Sequence, residues 1–321
     1  MSSTLKLKYL EKSVNCDALV VGLAKGVKGL EIVSTLKLDE KEIIQSLNDL
    51  GATGKADEVI KLPGTATKVL VFTGLGKAAK EYSSETIRRA AGIAAQNLHG
   101  HKSAIFAIDN DARAMAEGAA LGSYVFTDFR GHTKKEIKSP LSEIYIDADG
   151  DAKLLKEIEV ITKWTFFARD LVNMPPSFLN PKKFAELVSA KAKKVPGVKV
   201  KVWDEKQLKS QGFGGLIGVG QGSANPPRLV SLSYKPAKAK KTYAFVGKGI
   251  TFDSGGLALK PAANMDEMKG DMTGAASAVT ALLAIAELKL PIAIDAWAAL
   301  AENMVSDTAT RPSDVITIYG G

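Results

Sequence analysis

Apolar residues recur along this chain in two rhythms. "DALVVGLA" (17–24), "KVLVFTGL" (68–75), "SAIFAID" (103–109) and "EIYIDA" (143–148) are short apolar runs that predict strands. Between them, "DEKEIIQSLNDLG", "SSETIRRAAGIAAQNL" and "ARAMAEGAALGSYVF" repeat apolar positions at helical spacing, with polar starts and glycine-marked stops. Strands alternating with helices predict a layered, largely parallel α/β domain over residues 1–150.

The segment "DAKLLKEIEVITKWTFFARDLVN" sets Leu154, Ile158, Ile161, Thr165, Ala168 and Val172 on one helical face. Met174-Pro175-Pro176 ends it, because proline cannot continue the hydrogen-bond ladder. The domain join is placed in the loop before this helix, so that 151–321 forms a second domain. Asn180-Pro181 predicts the next helix, with Asn as N-cap and Pro at the first helical position. "VKVKVW", "RLVSLSY", "TYAFVGKGI" and "IAIDAWAAL" predict further strands with helices between them, so this half is α/β as well. The final "DVITIYGG" reads as the first half of a hairpin without its partner strand, which suggests a fragment of a longer chain.

Composition narrows the function classes. An apolar share of 45% and a charged share of 24% are those of a soluble globular protein. The alanine-rich run "DMTGAASAVTALLAIAELKL" carries Asp271 and Glu287 and predicts a core helix, not a membrane span. "MSSTLKLKYLEKS" has no apolar stretch of a secretory signal, and Cys16, the single cysteine, fits a cytoplasmic protein. The formal charge of +8 gathers in "SAKAKKVPGVKVK" and "KPAKAKK". No aromatic residues interleave with these lysines and few arginines accompany them, so a solvated lysine face outweighs nucleic acid as a main partner. "GLAKGVKG" (22–29) and "GLGK" (74–77) read as turns, since neither has the spacing or the Ser/Thr of a phosphate loop. His99, His101 and His132 have no acid or cysteine partner at metal-ligand spacing.

The chemistry concentrates in "VGKGITFDSGGLALKPAANMDEMKGDM" (246–272). Lys248 falls near the end of a predicted strand, Asp253 precedes Ser254-Gly255-Gly256, and Lys260 and Asp271 follow. Carboxylates without cysteine suit a hard or borderline dication such as Mn²⁺, Mg²⁺ or Zn²⁺. A lysine joins such a site only as the neutral amine, which requires its reference pKa of about 10.4 to fall by several units. The other lysine, left charged, could polarise a substrate carbonyl. The alternative is two salt bridges lining a loop, and spacing alone does not separate the two. Met265, Met268 and Met272 lie at helical spacing, which by itself predicts core.

These residues resemble one family closely, the cytosolic leucyl aminopeptidases, which are dinuclear metallo-exopeptidases. "VGKGITFDSGGLALKP" and "MDEMKGDMTGAA" are similar to that family's metal-binding core, and "ARDLVNMPPSFLNP", "GVGQGSANPPRLVSLSY" and "AENMVSDTATRPSDVI" to its flanking segments. The likeness is strong from about 165 to 318 and architectural over 1–150. It implies two three-layer α/β domains, the first for regulation or oligomerisation and the second catalytic. It implies that Lys248 and Asp271 ligate one metal and that Asp253 bridges two divalent ions, Mn²⁺ or Zn²⁺. Lys260 would be the catalytic electrophile, Asp271 would lie near the substrate's free α-amine, and Met268 would line the pocket for the first side chain. The implied activity is release of a Leu-like N-terminal residue from peptides by a cytoplasmic homohexamer whose sites face an interior space.

One departure is plain. The family's Asn-Thr-Asp-Ala-Glu-Gly-Arg motif, which completes the metal site and holds a bicarbonate, is expected just beyond Gly321 and is not in this sequence. The resemblance therefore implies that the 321-residue chain, taken alone, is inactive and binds one metal weakly. Two alternatives stand beside the aminopeptidase: a catalytically inactive homologue with a structural or nucleic-acid-binding role, and another metallohydrolase such as a dipeptidase.

Overall fold

The computed structural model describes residues 5–11, 14–109, 111–307 and 311–315, in two units, Met1–Thr162 and Lys163–Gly321. The long helix predicted around residue 160 forms and runs across that division. The first unit holds β1 (Lys6–Tyr9), β2 (Ala18–Lys25), β3 (Leu30–Val33), α1 (Glu40–Asp49), β4 (Val59–Pro63), β5 (Val69–Lys77), α2 (Ser84–Gln96), β6 (Ser103–Phe106), α3 (Ala112–Gly122), β7 (Glu143–Ile146) and the start of α4 (Ala152–Asn173). Its sheet runs β1-β7-β6-β2-β5-β4, with β3 on β2. The first five of these are mutually parallel; β4 and β3 run antiparallel to their neighbours.

Burial on both faces makes this unit three layers deep. Val20, Val71, Phe106 and Ile144 face Ile87, Ala91 and Ala94 of α2 and Met115 and Ala119 of α3. Val21, Leu23, Phe72 and Ile105 pack on the other face with Leu47 of α1. Ser83 and Asp111 cap α2 and α3 by accepting from Thr86 N and Ala114 N, which satisfies donors that a helix start leaves unpaired. The three strands without a sequence signal, β1, β3 and β4, are short and sit at sheet margins, where burial imposes no strict alternation. Helix α3 ends at Gly122, short of the predicted 126, because Tyr124-Val125-Phe126 favours extended backbone.

The second unit holds α5 (Pro181–Ala192), β8 (Val198–Trp203), α6 (Glu205–Ser210), α7 (Gly214–Gly220), β9 (Arg228–Tyr234), β10 (Thr242–Asp253), α8 (Thr273–Glu287) and β11 (Ala293–Asn303). Asn180 caps α5 through Lys183 N, with Pro181 in the first turn, as the sequence predicts. The sheet order is β10-β11-β9-β8; β10 and β11 are parallel, and the other two pairings are antiparallel. One face packs Trp203, Leu229 and Trp297 on Leu208 of α6 and Ile217 of α7. The alanine-rich run forms α8, buried along most of its length against β10 and β11, and no helix among the described residues is long and apolar enough to cross a membrane. The predicted hairpin strand falls mostly on 316–321, outside the described residues.

The lysine-rich segment has a structural explanation. β8 is an outer strand of its sheet, and Lys199 and Lys201 are exposed on it. Charged side chains on an edge strand discourage pairing with a second chain. Replacing both (Lys199→Val with Lys201→Val) is expected to leave the far-UV circular dichroism unchanged but to produce concentration-dependent self-association by light scattering. A variant that stays monodisperse over the wild-type concentration range would remove this role from the two lysines.

Candidate active site

The two longest strands of the second unit, β10 and β11, pair in parallel from Thr242↔Ala293 to Asp253↔Asn303, with a register shift at Thr251. Sites in open α/β sheets collect at the carboxyl ends of such strands. β10 continues three residues beyond the predicted strand, so Asp253 stands at that end and Asn303 is its neighbour on β11.

Two backbone features then fold the rest of the quoted segment over the strand end. After Asp253 the chain turns through Gly255 and Gly256 at φ 89° and 68°, a region that favours glycine. Lys260 N closes the turn on Ser254 O at 2.9 Å, and Ser254 itself is tied to Asn303 O through both its backbone N–H and its hydroxyl. Lys260 is thereby returned to Asp253. Further on, a 3₁₀ turn over Met265–Gly270 leads into α8, whose first turn lies directly on β10. A Cβ added at Gly247 would stand 2.4 Å from Ala275 Cα, so only glycine permits this approach. Asp271, just ahead of that turn, reaches Lys248.

The four predicted side chains form two ion pairs. Lys248 Nζ donates to Asp271 Oδ1 at 2.7 Å, and Lys260 Nζ donates to Asp253 Oδ2 at 2.6 Å. Asp253 is the better held: its Oδ1 also accepts from Gly255 N at 3.0 Å and Asn303 Nδ2 at 2.8 Å. Burial pushes this carboxyl up, but the Lys260, Gly255 and Asn303 donors outweigh burial and hold it below the usual carboxylate range. Asp271 Oδ2 is different. It is buried and lies 2.6 Å from the Lys248 ammonium, yet lacks hydrogen-bonding geometry to any donor. Only the Lys248 ion pair holds this acceptor-only oxygen, so it remains available to a cation. Met268, half-buried beside Phe252, Met265 and Met304, puts its sulfur 3.1 Å from Lys260 Nζ. Met265 and Met272 are buried, as core residues.

No group of three His, Cys, Asp or Glu side chains with metal-holding geometry occurs among the described residues. The residues present offer a cation two acceptor-only carboxylates, Asp253 and Asp271, each paired with a lysine amine. Sequence reading missed Asn303. It lies 50 residues from Asp253 along the chain and meets it only through the parallel register of β10 and β11, which no local spacing reveals. It also missed Glu302, buried beside Asn303. Glu302 accepts from Ser223 Oγ at 2.5 Å and Asn225 Nδ2 at 2.6 Å and pairs with Arg311.

Comparison with known proteins decides the family. Residues 166–321 match the profile of the cytosol aminopeptidase family, catalytic domain, and residues 20–133 that of its N-terminal domain. The chain belongs to the cytosol aminopeptidase family. Among curated relatives, a probable cytosol aminopeptidase of Streptomyces avermitilis is 45% identical over 96% of this chain, and one of Leifsonia xyli subsp. xyli is 44% identical over 100%. The chain spans 65% of the length of each. Among solved structures, the bottromycin maturation enzyme BotP in complex with Mn is 31% identical with a TM-score of 0.74, over 92% of this chain and 61% of that one. Leucyl aminopeptidase from Trypanosoma cruzi, at 23% identity and TM-score 0.74, covers 98% of this chain and 64% of that one, and shows the same fold.

Asn303 generates a test within this family member. The depressed Asp253 carboxyl contributes stability that is present above the ordinary carboxylate pKa and is lost as pH falls through the lowered folded value. Asn303→Ala removes a donor to the charged form, so the Asp253 pKa should rise and the acid loss should begin at higher pH. The cost at neutral pH is about 1 kcal/mol. Carboxyl ¹³C titration of Asp253 reads the shift directly; an unmoved titration would show that Asn303 does not hold this group.

Proposed function

We propose that the whole protein is a metal-dependent aminopeptidase that hydrolyses the first peptide bond of substrates with a free N-terminus, with preference for Leu-like first residues. The observation that carries this reading is the convergence of Lys248, Asp253, Lys260 and Asp271 at the end of β10, with Asp271 Oδ2 buried and held only by its ion pair to Lys248. Family membership and the Mn-bound relative support the same reading. The relatives' names favour an enzyme over a catalytically inactive homologue. Two divalent ions, Mn²⁺ or Zn²⁺, would be the cofactors, the cytoplasm the location and a homohexamer the assembly.

Lys248, Asp253 and Asp271 would hold the metal, Lys248 as the neutral amine. A bound dication would supply Lewis acidity and lower the pKa of water from 15.7 toward about 7. Lys260 would be the electrophilic lysine, its Nζ donating to the scissile carbonyl oxygen as negative charge builds there, while Asp253 would help hold the metal. Asp271 offers a carboxylate to the substrate's free α-amine, which an acylated peptide cannot supply. Met268 contributes a flexible apolar wall beside Lys260, and the selectivity such a wall gives is modest, about 1–3 kcal/mol per methylene.

Mn²⁺ titration of the 321-residue chain, followed by loss of the free-ion electron paramagnetic resonance signal, tests the ligand set. Asp253→Asn, Asp271→Asn and Lys248→Arg should each weaken uptake by at least about tenfold, because none of the replacements offers the same donor. In the whole protein, Lys260→Ala should lower kcat for Leu-p-nitroanilide by about 10²–10³. N-acetylated peptides should remain uncut. Mn²⁺ uptake indifferent to all three ligand substitutions, or equal turnover of blocked and free peptides, would falsify the assignment.

A further inference from the structure

The glycine–lysine runs 22–29 and 74–77, each an ordinary turn when read alone, end at one place in the first unit. β2 and β5 are parallel neighbours, and each finishes in a lysine; Lys25 and Lys77 are register partners. Regular alternation would not set them side by side. Along β5, Val71 packs with Val20 and Ile87, and the Thr73 hydroxyl donates to Ala90 O of α2 at 2.9 Å, so odd-numbered positions face α2. Along β2 the odd-numbered Val21 and Leu23 belong to the opposite face, with Phe72 and Leu47. Lys25 continues that face.

A bulge resolves the mismatch. Leu23 pairs with Gly74 and Ala24 with Gly76, so Leu75 is an extra residue in β5, and Gly76 takes φ 85°. One inserted residue reverses the alternation, and Lys77 emerges beside Lys25. Like charges at paired positions on adjacent strands destabilise a sheet. Among the described residues no ion pair or hydrogen bond relieves the Lys25 or Lys77 ammonium. The loops after the two strands, Gly26-Val27 and Ala78-Ala79-Lys80, enclose an open cleft of about 620 Å³ that both lysines line, with Lys80 and Glu31. Three lysines less one glutamate leave the lining at +2.

We propose that this cleft binds a small phosphate-bearing anion. It lies at the carboxyl ends of parallel strands, where α/β sheets take ligands. Lysine ammonium groups, as compact point charges, suit phosphate oxygens. Among the described residues the lining has no arginine to fork onto a nucleic-acid backbone and no aromatic ring to stack a base, which favours a small anion over a nucleic acid. Val27, Ala78 and Ala79 add apolar side chains to the lining.

Calorimetric titration of the 321-residue chain with inorganic pyrophosphate, in metal-free buffer of low ionic strength, tests this. One saturable site is expected. Lys25→Ala with Lys77→Ala should weaken it by at least about tenfold. Glu31→Gln should tighten it, and Lys206→Ala with Lys238→Ala, which removes equal charge from exposed positions outside the cleft, should leave it unchanged. Ala79→Glu keeps both lysines and sets a carboxylate in the cleft, and it too should abolish binding. This second variant decides the matter if the double lysine variant does not fold. Absence of saturable uptake, or equal weakening by the two double variants, overturns the proposal. So does tight duplex DNA binding that displaces pyrophosphate and is lost with Lys25 and Lys77, since those lysines would then serve a nucleic acid.

Discussion

The candidate site depends on how closely the first turn of α8 lies on β10. Gly247 faces Gly274 O and Ala275 Cα at distances that leave no room for a side chain. This is backbone-to-backbone contact, and it sets the distance of the helix start from the strand without any side chain between them. Asp271 sits immediately before that start, so the same contact delivers its carboxylate to Lys248. α8 has no side-chain cap at its N-terminus, and the unpaired N–H groups and positive end of the helix dipole there favour an anion nearby. Register does for Asp253 what helix packing does for Asp271: the parallel pairing of β10 with β11 sets Asn303 against it and anchors the Ser254 turn.

Much of this was legible in the sequence because local rules sufficed. Strands with strong apolar runs, capped helices and the Asn180-Pro181 start all form as their patterns dictate, since propensity and burial agree there. The quartet of lysines and acids was legible as a set, and its spacing allowed either a metal site or two salt bridges. The structure has the two salt bridges, in a geometry that leaves one buried carboxylate oxygen without a hydrogen bond. Asn303 and the Glu302 cluster were not legible. Both act through strand register or through loops distant in sequence, and a register is a property of the whole sheet. The bulge at Leu75 escaped for the same reason: it is defined only against β2.

The excess of lysine divides into distinct physical roles once positions are known. Lys199 and Lys201 lie on an outer strand, where a charged, solvated side chain costs little and blocks pairing. Lys201 also covers the Trp203 ring at 4.1 Å, so its stem and charge both find use. Lys25 and Lys77 are the opposite case. Their positions bring like charges together, and among the described residues no ion pair relieves either ammonium. A net charge of +8 read from composition could not distinguish these roles, because it carries no geometry.

The contrast between the two ion pairs and their neighbour Glu302 shows which acids can change partners. The Lys248 and Lys260 side chains are 61% and 37% exposed, so each pair is screened by water and contributes about 0–1 kcal/mol. Exchanging such an ammonium for a dication is cheap in lost pairing. Glu302 and Arg311 are 1% and 14% exposed, and separating a buried pair leaves an uncompensated charge at a cost of about 3–5 kcal/mol. Glu302 is thus committed to bracing the 223–225 and 311–314 segments around the end of β11, while the lysine partners of Asp253 and Asp271 are held only by screened pairs. A buried acid that supports the scaffold thus stands directly beside two acids whose lysine partners are screened by water.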